Sequence, residues 1–339
     1  MFYKKLLNLF KEKNWFNATV LLAFIGLVIV LSLSRGSVEL SSEEIFKAFL
    51  RQGDITNQII FWELRLPRLI ASLLVGSALG MSGALLQGML RNGLASPYLL
   101  GISAGSGLVI VLLISMGLWL SWIPIAAWIG AILTTLIVYF LAKSGTSISV
   151  ERLVLGGVAL SSLFGSIQSM LLLQTEDGRV QAALTWLIGS LNSRGWAEIK
   201  LAAPPIAFAL VVGLLLSRPL NLLGLGDELS VGLGNSLFRS RCLIGASATL
   251  LAASSVSVGG LIGFVGLIVP HAVRFLFGTD YRVVLPFSAL LGALTLSAAD
   301  LIARSGTIEL PVGIITSLLG APIFIVLLYK RQKALSNLR

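Results

Sequence analysis

Leu69-Ile-Ala-Ser-Leu-Leu-Val-Gly-Ser-Ala-Leu-Gly-Met-Ser-Gly-Ala-Leu-Leu-Gln-Gly-Met-Leu90 runs for 22 residues without an Asp, Glu, Lys or Arg. A helix of about 20 such residues is as long as the hydrocarbon core of a bilayer is thick, so this stretch reads as a membrane span. Working outward, Asn14 to Ser34, Leu153 to Thr175, Leu201 to Ser217, Val283 to Ala299 and Leu310 to Tyr329 each hold one more. Asn92 to Ala142 is too long for one helix and breaks near Gly117 to Pro124 into two, while Cys242 to Val273 holds one span, a break at Gly259-Gly260 and a short second pass from Leu261. The count is ten. Val180 to Ser193 is a shorter run, expected as a partial or surface helix behind an outer loop of Glu176, Asp177 and Arg179.

Composition agrees with an all-α, polytopic membrane protein made of a single domain over residues 1–339. Of 339 residues 56% are hydrophobic and only 12% charged, against about 25% charged in soluble domains, so the chain could not cover a water-facing surface. Lys4, Lys5, Lys11 and Lys13 at one end and Lys330, Arg331, Lys333 and Arg339 at the other place both termini in the cytoplasm. The net charge of +10 then follows from topology and calls for no nucleic-acid partner. The first apolar run ends in Ser32-Leu-Ser34-Arg35 without a small-x-small site, which argues against a cleaved signal peptide. One cysteine, Cys242, excludes an internal disulfide and a cysteine cluster.

Ser72, Gly76, Gly80, Ala84 and Gly88 recur every four residues, and Gly101-x3-Gly105 and Gly259-x3-Gly263 repeat the spacing, a pattern that lets helices approach closely. Ion-coupled carriers place carboxylates in mid-membrane, whereas the acid nearest a span here is Asp300 at the end of the ninth. ATP coupling needs a phosphate-binding G-x4-G-K-[ST] loop, yet none of the nine lysines follows a glycine, so an ATPase would have to be a separate chain. No nucleophile, base and orienter stand together, which leaves a membrane enzyme as the weaker alternative. Between the sixth and seventh spans, Arg218 to Arg241 is bounded by arginines and interrupted by Gly224, Gly226, Gly232 and Gly234. Two short amphipathic helices are expected there, the second capped by Asp227, with Leu222, Leu225, Leu229 and Leu233 along one side. They would form either a docking surface or an interfacial loop.

Arg65-Leu-Pro-Arg68, Ser82-Gly-Ala-Leu-Leu-Gln87, Arg91-Asn-x-Leu-Ala-x-Pro97, Leu100-Gly-Ile-Ser-x-Gly105, Leu220-Asn-Leu-Leu-x-Leu-Gly226, Gly263-Phe-Val-Gly-Leu-Ile-Val-Pro-His271-x2-Arg274, Ala299-Asp300-x3-Arg304 and Glu309-Leu-Pro-x-Gly313 stand in one order. Over roughly residues 15 to 330 the chain thereby resembles the FecCD family, permease subunits of bacterial importers for iron-siderophores, haem and cobalamin. The resemblance implies a multi-pass subunit of the bacterial inner membrane, paired with a second permease subunit, identical or paralogous. It also implies two ATP-binding subunits and a periplasmic substrate-binding protein as partners, with ATP and Mg on the ATPase and no cofactor or metal on this chain. It implies that Arg65, Arg68 and Arg304 receive acidic residues of the binding protein. The coupling helices, about 219–238, would comprise Leu220, Asn221, Leu222, Leu225, Gly226, Asp227, Glu228, Leu229, Leu233 and Gly234. The inner gate would fall at Ser149, Val150 and Glu151, although the small polar residues of the family's gate are not matched at Val150 and Glu151. Iron(III)-siderophore is the cargo this reading favours, with cobalamin or haem as the alternative. His271 is expected to be structural, and Trp15, Trp62, Trp119, Trp122, Trp186 and Trp196 to be interfacial anchors.

Overall fold

A computed structural model describes residues 2–336 apart from 37, 99, 119–121, 145–146 and 307. Trp119, and the side chains of Trp15 and of the basic residues of both tails, lie outside the described residues. The described residues are mostly helical. α1 (Phe2–Ser34) is followed by α2 (Ser42–Phe49), α3 (Ile55–Ile59), a π-helical turn (Ile60–Arg65) and α4 (Leu66–Met89). Then come α5 (Ile102–Ser115), α6 (Ile123–Ala142), α7 (Val150–Leu173), α8 (Asp177–Ile188), α9 (Trp196–Leu215), α10 (Ser217–Gly224) and α11 (Asp227–Gly232). The last four are α12 (Leu237–Gly259), α13 (Val265–Phe277), α14 (Tyr281–Ala303) and α15 (Val312–Ser336). Among the described residues, strand pairing is limited to a two-residue bridge, Lys143–Ser144 with Ser147–Ile148.

Among the described residues, seven helices are long and apolar enough to cross a membrane, and three shorter apolar segments, Ile102–Ser115, Val265–Phe277 and Val312–Val326, overlap the remaining charge-free stretches. The break after α12 falls at Gly260, whose φ of 70° turns the chain out of the helix. α8 begins three residues earlier than expected. Glu176 is its N-cap residue, so Asp177 and Arg179 belong to the helix and Arg179 pairs with Glu176 at 3.5 Å. An acid in a first turn suits the positive end of the helix dipole, which extends the helix into the charged stretch.

α4 is the centre of the bundle. It packs on α14, α12, α13, α9 and α10, and 78% of its apolar window is buried, against 17% for α1 and for α7. Its small-residue stripe meets α14: a Cβ built on Gly76 would stand 2.3 Å from the Gly292 carbonyl oxygen, and one on Gly80 2.1 Å from that of Ser288. Only bare backbones reach this separation. Gly105 is held in the same way against Gly130 and Thr134, locking α5 on α6. Gly259 and Gly263 are different. They flank a turn and do not form a helix-pair stripe.

Candidate functional site

Each end of α4 carries a polar assembly. At its N-terminal end, Arg68 grips Asp300 of α14 through Nε and Nη2 at 2.8–3.0 Å and also pairs with Glu309. Arg304 lies 3.7 Å from Asp300 and donates to the Ser32 and Arg35 carbonyls at 2.7 and 3.2 Å. Arg65 donates to the Leu33, Ser34 and Val38 carbonyls. The carbonyls that end α1 have no partner inside their own helix, and a guanidinium there also meets the negative end of the dipole. The structure brings Arg65, Arg68 and Arg304 together and turns their donors inward, and Arg65 is only 6% exposed. Asp300 is neutralised on both sides and buried, the state of a structural carboxylate. Nearby, Trp62 donates to the Ala48 carbonyl and Trp196 to that of Trp62, so these two indoles tie outer segments of the chain to each other.

At the other end, α10 and α11 form the two short helices expected there. Leu220 and Leu223 are buried; Leu220 sits against Gly88 of α4, and Asn221 anchors the pair by donating to Asp280 at 2.7 Å and accepting from the Tyr281 N–H at 3.0 Å. Gly226 takes φ 105° and Gly234 φ 81°, turns that a side chain would strain. Leu225, Leu229, Val231 and Leu233 are each more than half exposed, an apolar patch that the described residues leave uncovered. Leu222 is half-buried, and so does not belong to the exposed row. Asp227 corrects an expectation: it caps nothing. The N-cap position belongs to Gly226, and the Asp227 carboxylate is held by Arg241 at 2.8 Å and Arg91 at 3.3 Å. Two guanidiniums bind a carboxylate more strongly than backbone N–H groups do. Ser149 caps α7, accepting from the Arg152 N–H at 3.3 Å, with Val150 partly buried and Glu151 exposed.

Between these ends lies a cleft of about 820 Å³ bordered by α4, α13 and α15. Among the described residues its wall is apolar apart from the hydroxyls of Ser96, Ser103, Ser317 and Tyr98, and holds no charged side chain. Phe264 lines it with φ 66°, a strained conformation for an aromatic residue, pressed against Gly320. α7 has one face of Ser162, Ser166 and Ser169, each exposed and bonded back to the preceding turn. A serine row recurring at steps of four and three was legible in the sequence and went unread there.

A family model for the FecCD transport family matches residues 22–330. This chain belongs to the FecCD family. It is 38% identical over 323 residues to the Fe(3+)-citrate import system permease protein YfmE of Bacillus subtilis (strain 168), covering 94% of this chain and 96% of that one. It is 40% identical over 279 residues to the cobalamin import system permease protein BtuC of Halobacterium salinarum, covering 82% and 75%. Among solved structures, one described as an inward-facing conformation of a metal-chelate type ABC transporter superposes with a TM-score of 0.83 at 33% identity, over 92% of this chain and 98% of that one. As a FecCD chain it is an ABC transporter permease, a transport subunit of the membrane and not a catalytic enzyme.

Proposed function

We propose that this FecCD chain imports an iron(III)-siderophore across the bacterial inner membrane by alternating access. The observation that carries the reading is the apolar patch of α10 and α11, exposed on a segment whose other side is anchored in the bundle. An ATP-hydrolysing subunit carrying ATP and Mg covers that patch, and its closure pushes α10 and α11, rocking two permease copies or paralogues about their shared path. Ten spans with both termini in the cytoplasm fit this assembly: α1 ends, and α15 begins, beside the arginine cluster at the opposite pole. The apolar, uncharged cleft suits a metal already wrapped by its chelator, so no metal ligand is needed on the path.

The binding protein docks at the arginine pole. Because Arg68 is already paired with Glu309, an incoming carboxylate acts by competing with Glu309, and Arg65 and Arg304 set the field in which it arrives. Ser149, Val150 and Glu151 stand at the inner gate. The relatives' cargoes, iron citrate for one and cobalamin for another, make cargo the point to test. The transporter is reconstituted in proteoliposomes with its ATPase and binding protein, and ATP-driven uptake of a ferric hydroxamate, cobalamin and haemin is compared. Uptake of the ferric chelate alone is expected; uptake of cobalamin or haemin instead overturns the cargo, and uptake unaffected by Leu229→Asp overturns the coupling.

A further inference from the structure

The α10–α11 end holds a second cavity, of about 370 Å³, walled by Gln87, Arg91, Asn92, His271, Arg274 and Tyr281 with glycines between them. Among the described residues its wall has two guanidiniums and no carboxylate. Arg274 donates to Gln87 Oε1 and shares the cavity wall with Tyr281, but no carboxylate of the described residues stands within ion-pair distance of it. Gln87 is itself fixed by donating to the Leu267 carbonyl at 3.0 Å, so Arg274 is held in place and not free to swing into water. Arg91 reaches Asp227 at 3.3 Å, but that same carboxylate is held more closely by Arg241. The nearby Asp280 accepts from Asn221 and from the Arg282 N–H. Among the described residues, one carboxylate thus serves Arg91 and Arg241 together, and Arg274 has none.

A half-buried guanidinium without a counter-charge is costly unless an anion arrives from outside the chain. The donors indicate its shape. Two planar forks, the Tyr281 hydroxyl and Asn92, whose Oδ1 is already turned to the Leu94 N–H at 3.0 Å, supply N–H and O–H groups from several sides. Such a set matches the oxygens of a tetrahedral phosphate better than a flat carboxylate, which one fork satisfies. The volume exceeds what a carboxylate fills. Directly after Arg274, Phe275 is 88% exposed and Leu276 48%, so apolar surface adjoins the cavity.

We infer that this cavity binds a phosphate group, and that its source is the headgroup of an anionic phospholipid whose acyl chains lie along Phe275 and Leu276. Binding draws Arg91 from Asp227, so lipid occupancy loosens one of the two grips on α11. The site stands apart from the cargo cleft, and its test needs neither cargo nor ATPase.

The full chain is purified into nanodiscs of phosphatidylcholine alone or with one-fifth phosphatidylglycerol, and retained lipid is read by native mass spectrometry. Inorganic phosphate is added to the phosphatidylcholine sample as a separate arm, read by phosphorus NMR line width. Selective retention of phosphatidylglycerol is expected, falling about tenfold in Arg274→Gln and recovering in part in Arg274→Lys, because a charge-assisted contact is lost and then partly restored. Asn92→Asp keeps the acceptor for the Leu94 N–H while adding a negative charge, and should lower retention without unfolding the loop; Arg218→Gln, exposed on α10, should not change it. Phosphate binding alongside lipid supports the site with free phosphate as a second source. Retention equal in Arg274→Gln, Asn92→Asp and the parent chain, or binding of neither probe, overturns the proposal.

Discussion

Replacing Gly80 with alanine adds one methyl group at the contact between α4 and α14. The new Cβ would lie 2.1 Å from the Ser288 carbonyl oxygen and 3.2 Å from the Gly292 Cα. A carbon–oxygen contact settles at about 3.3 Å, so the two helices must part by about 1.2 Å locally. Both atoms are backbone and no rotamer change relieves them, which puts the cost at the upper end of the overpacking range, about 3 kcal/mol. The same substitution at Gly26 of α1 or Gly165 of α7 meets nothing within 4 Å. There the helix gains about 0.5–1 kcal/mol from the better propensity of alanine. Gly80→Ala should therefore fall about 3–4 kcal/mol below the two controls in reversible unfolding by dodecyl sulfate in mixed micelles. One chemical change at three sites separates packing from propensity. Stability of Gly80→Ala within 1 kcal/mol of the controls would refute the close backbone contact, and with it the account of why the stripe is built of small residues.

Arg241→Gln leaves Asp227 with Arg91 alone and should melt α11 locally, seen as faster hydrogen exchange at 227–232 while the spans stay protected. Leu229→Asp, at a position 62% exposed, should leave the thermal midpoint of the isolated chain within about 2 °C but abolish capture of the ATPase, read by pull-down from defined components. Arg68→Gln leaves the buried Asp300 with Arg304 alone, at 3.7 Å, and should cost about 3–5 kcal/mol in the same unfolding assay, whereas Glu309→Gln should be nearly neutral and quicken association of the binding protein by freeing Arg68. The isolated chain in nanodiscs should show no vanadate-sensitive ATP turnover, because it has no phosphate loop; measurable turnover would contradict a separate ATPase.

The spans were legible because a bilayer imposes a length: any helix that crosses it must keep charges out for about 20 residues, and Leu69 to Leu90 or Val283 to Ala299 show this without reference to a neighbour. The glycine break at 259–260 and the paired short helices of 217–232 were legible for a similar reason, since φ above zero and interrupted apolar spacing are local properties. Partners were not legible. Asp227 stands where a cap residue would, but its carboxylate is claimed by Arg91, distant along the chain, and by Arg241, which the turn into α12 brings back to it. Arg65, Arg68 and Arg304 read as surface charges because nothing in their neighbourhoods shows that the end of α1 and Asp300 will take up their donors. The stripe from Ser72 to Gly88 announced close packing without saying against what, and the Gly76–Gly292 contact supplied the answer. The amino-acid sequence by itself determined where the chain lies in lipid, because solvation acts on each segment separately. Which helices touch, which charges are spent internally and which surfaces stay exposed were decided by the tertiary structure alone, because those energies belong to pairs of residues that the order of the chain does not bring together.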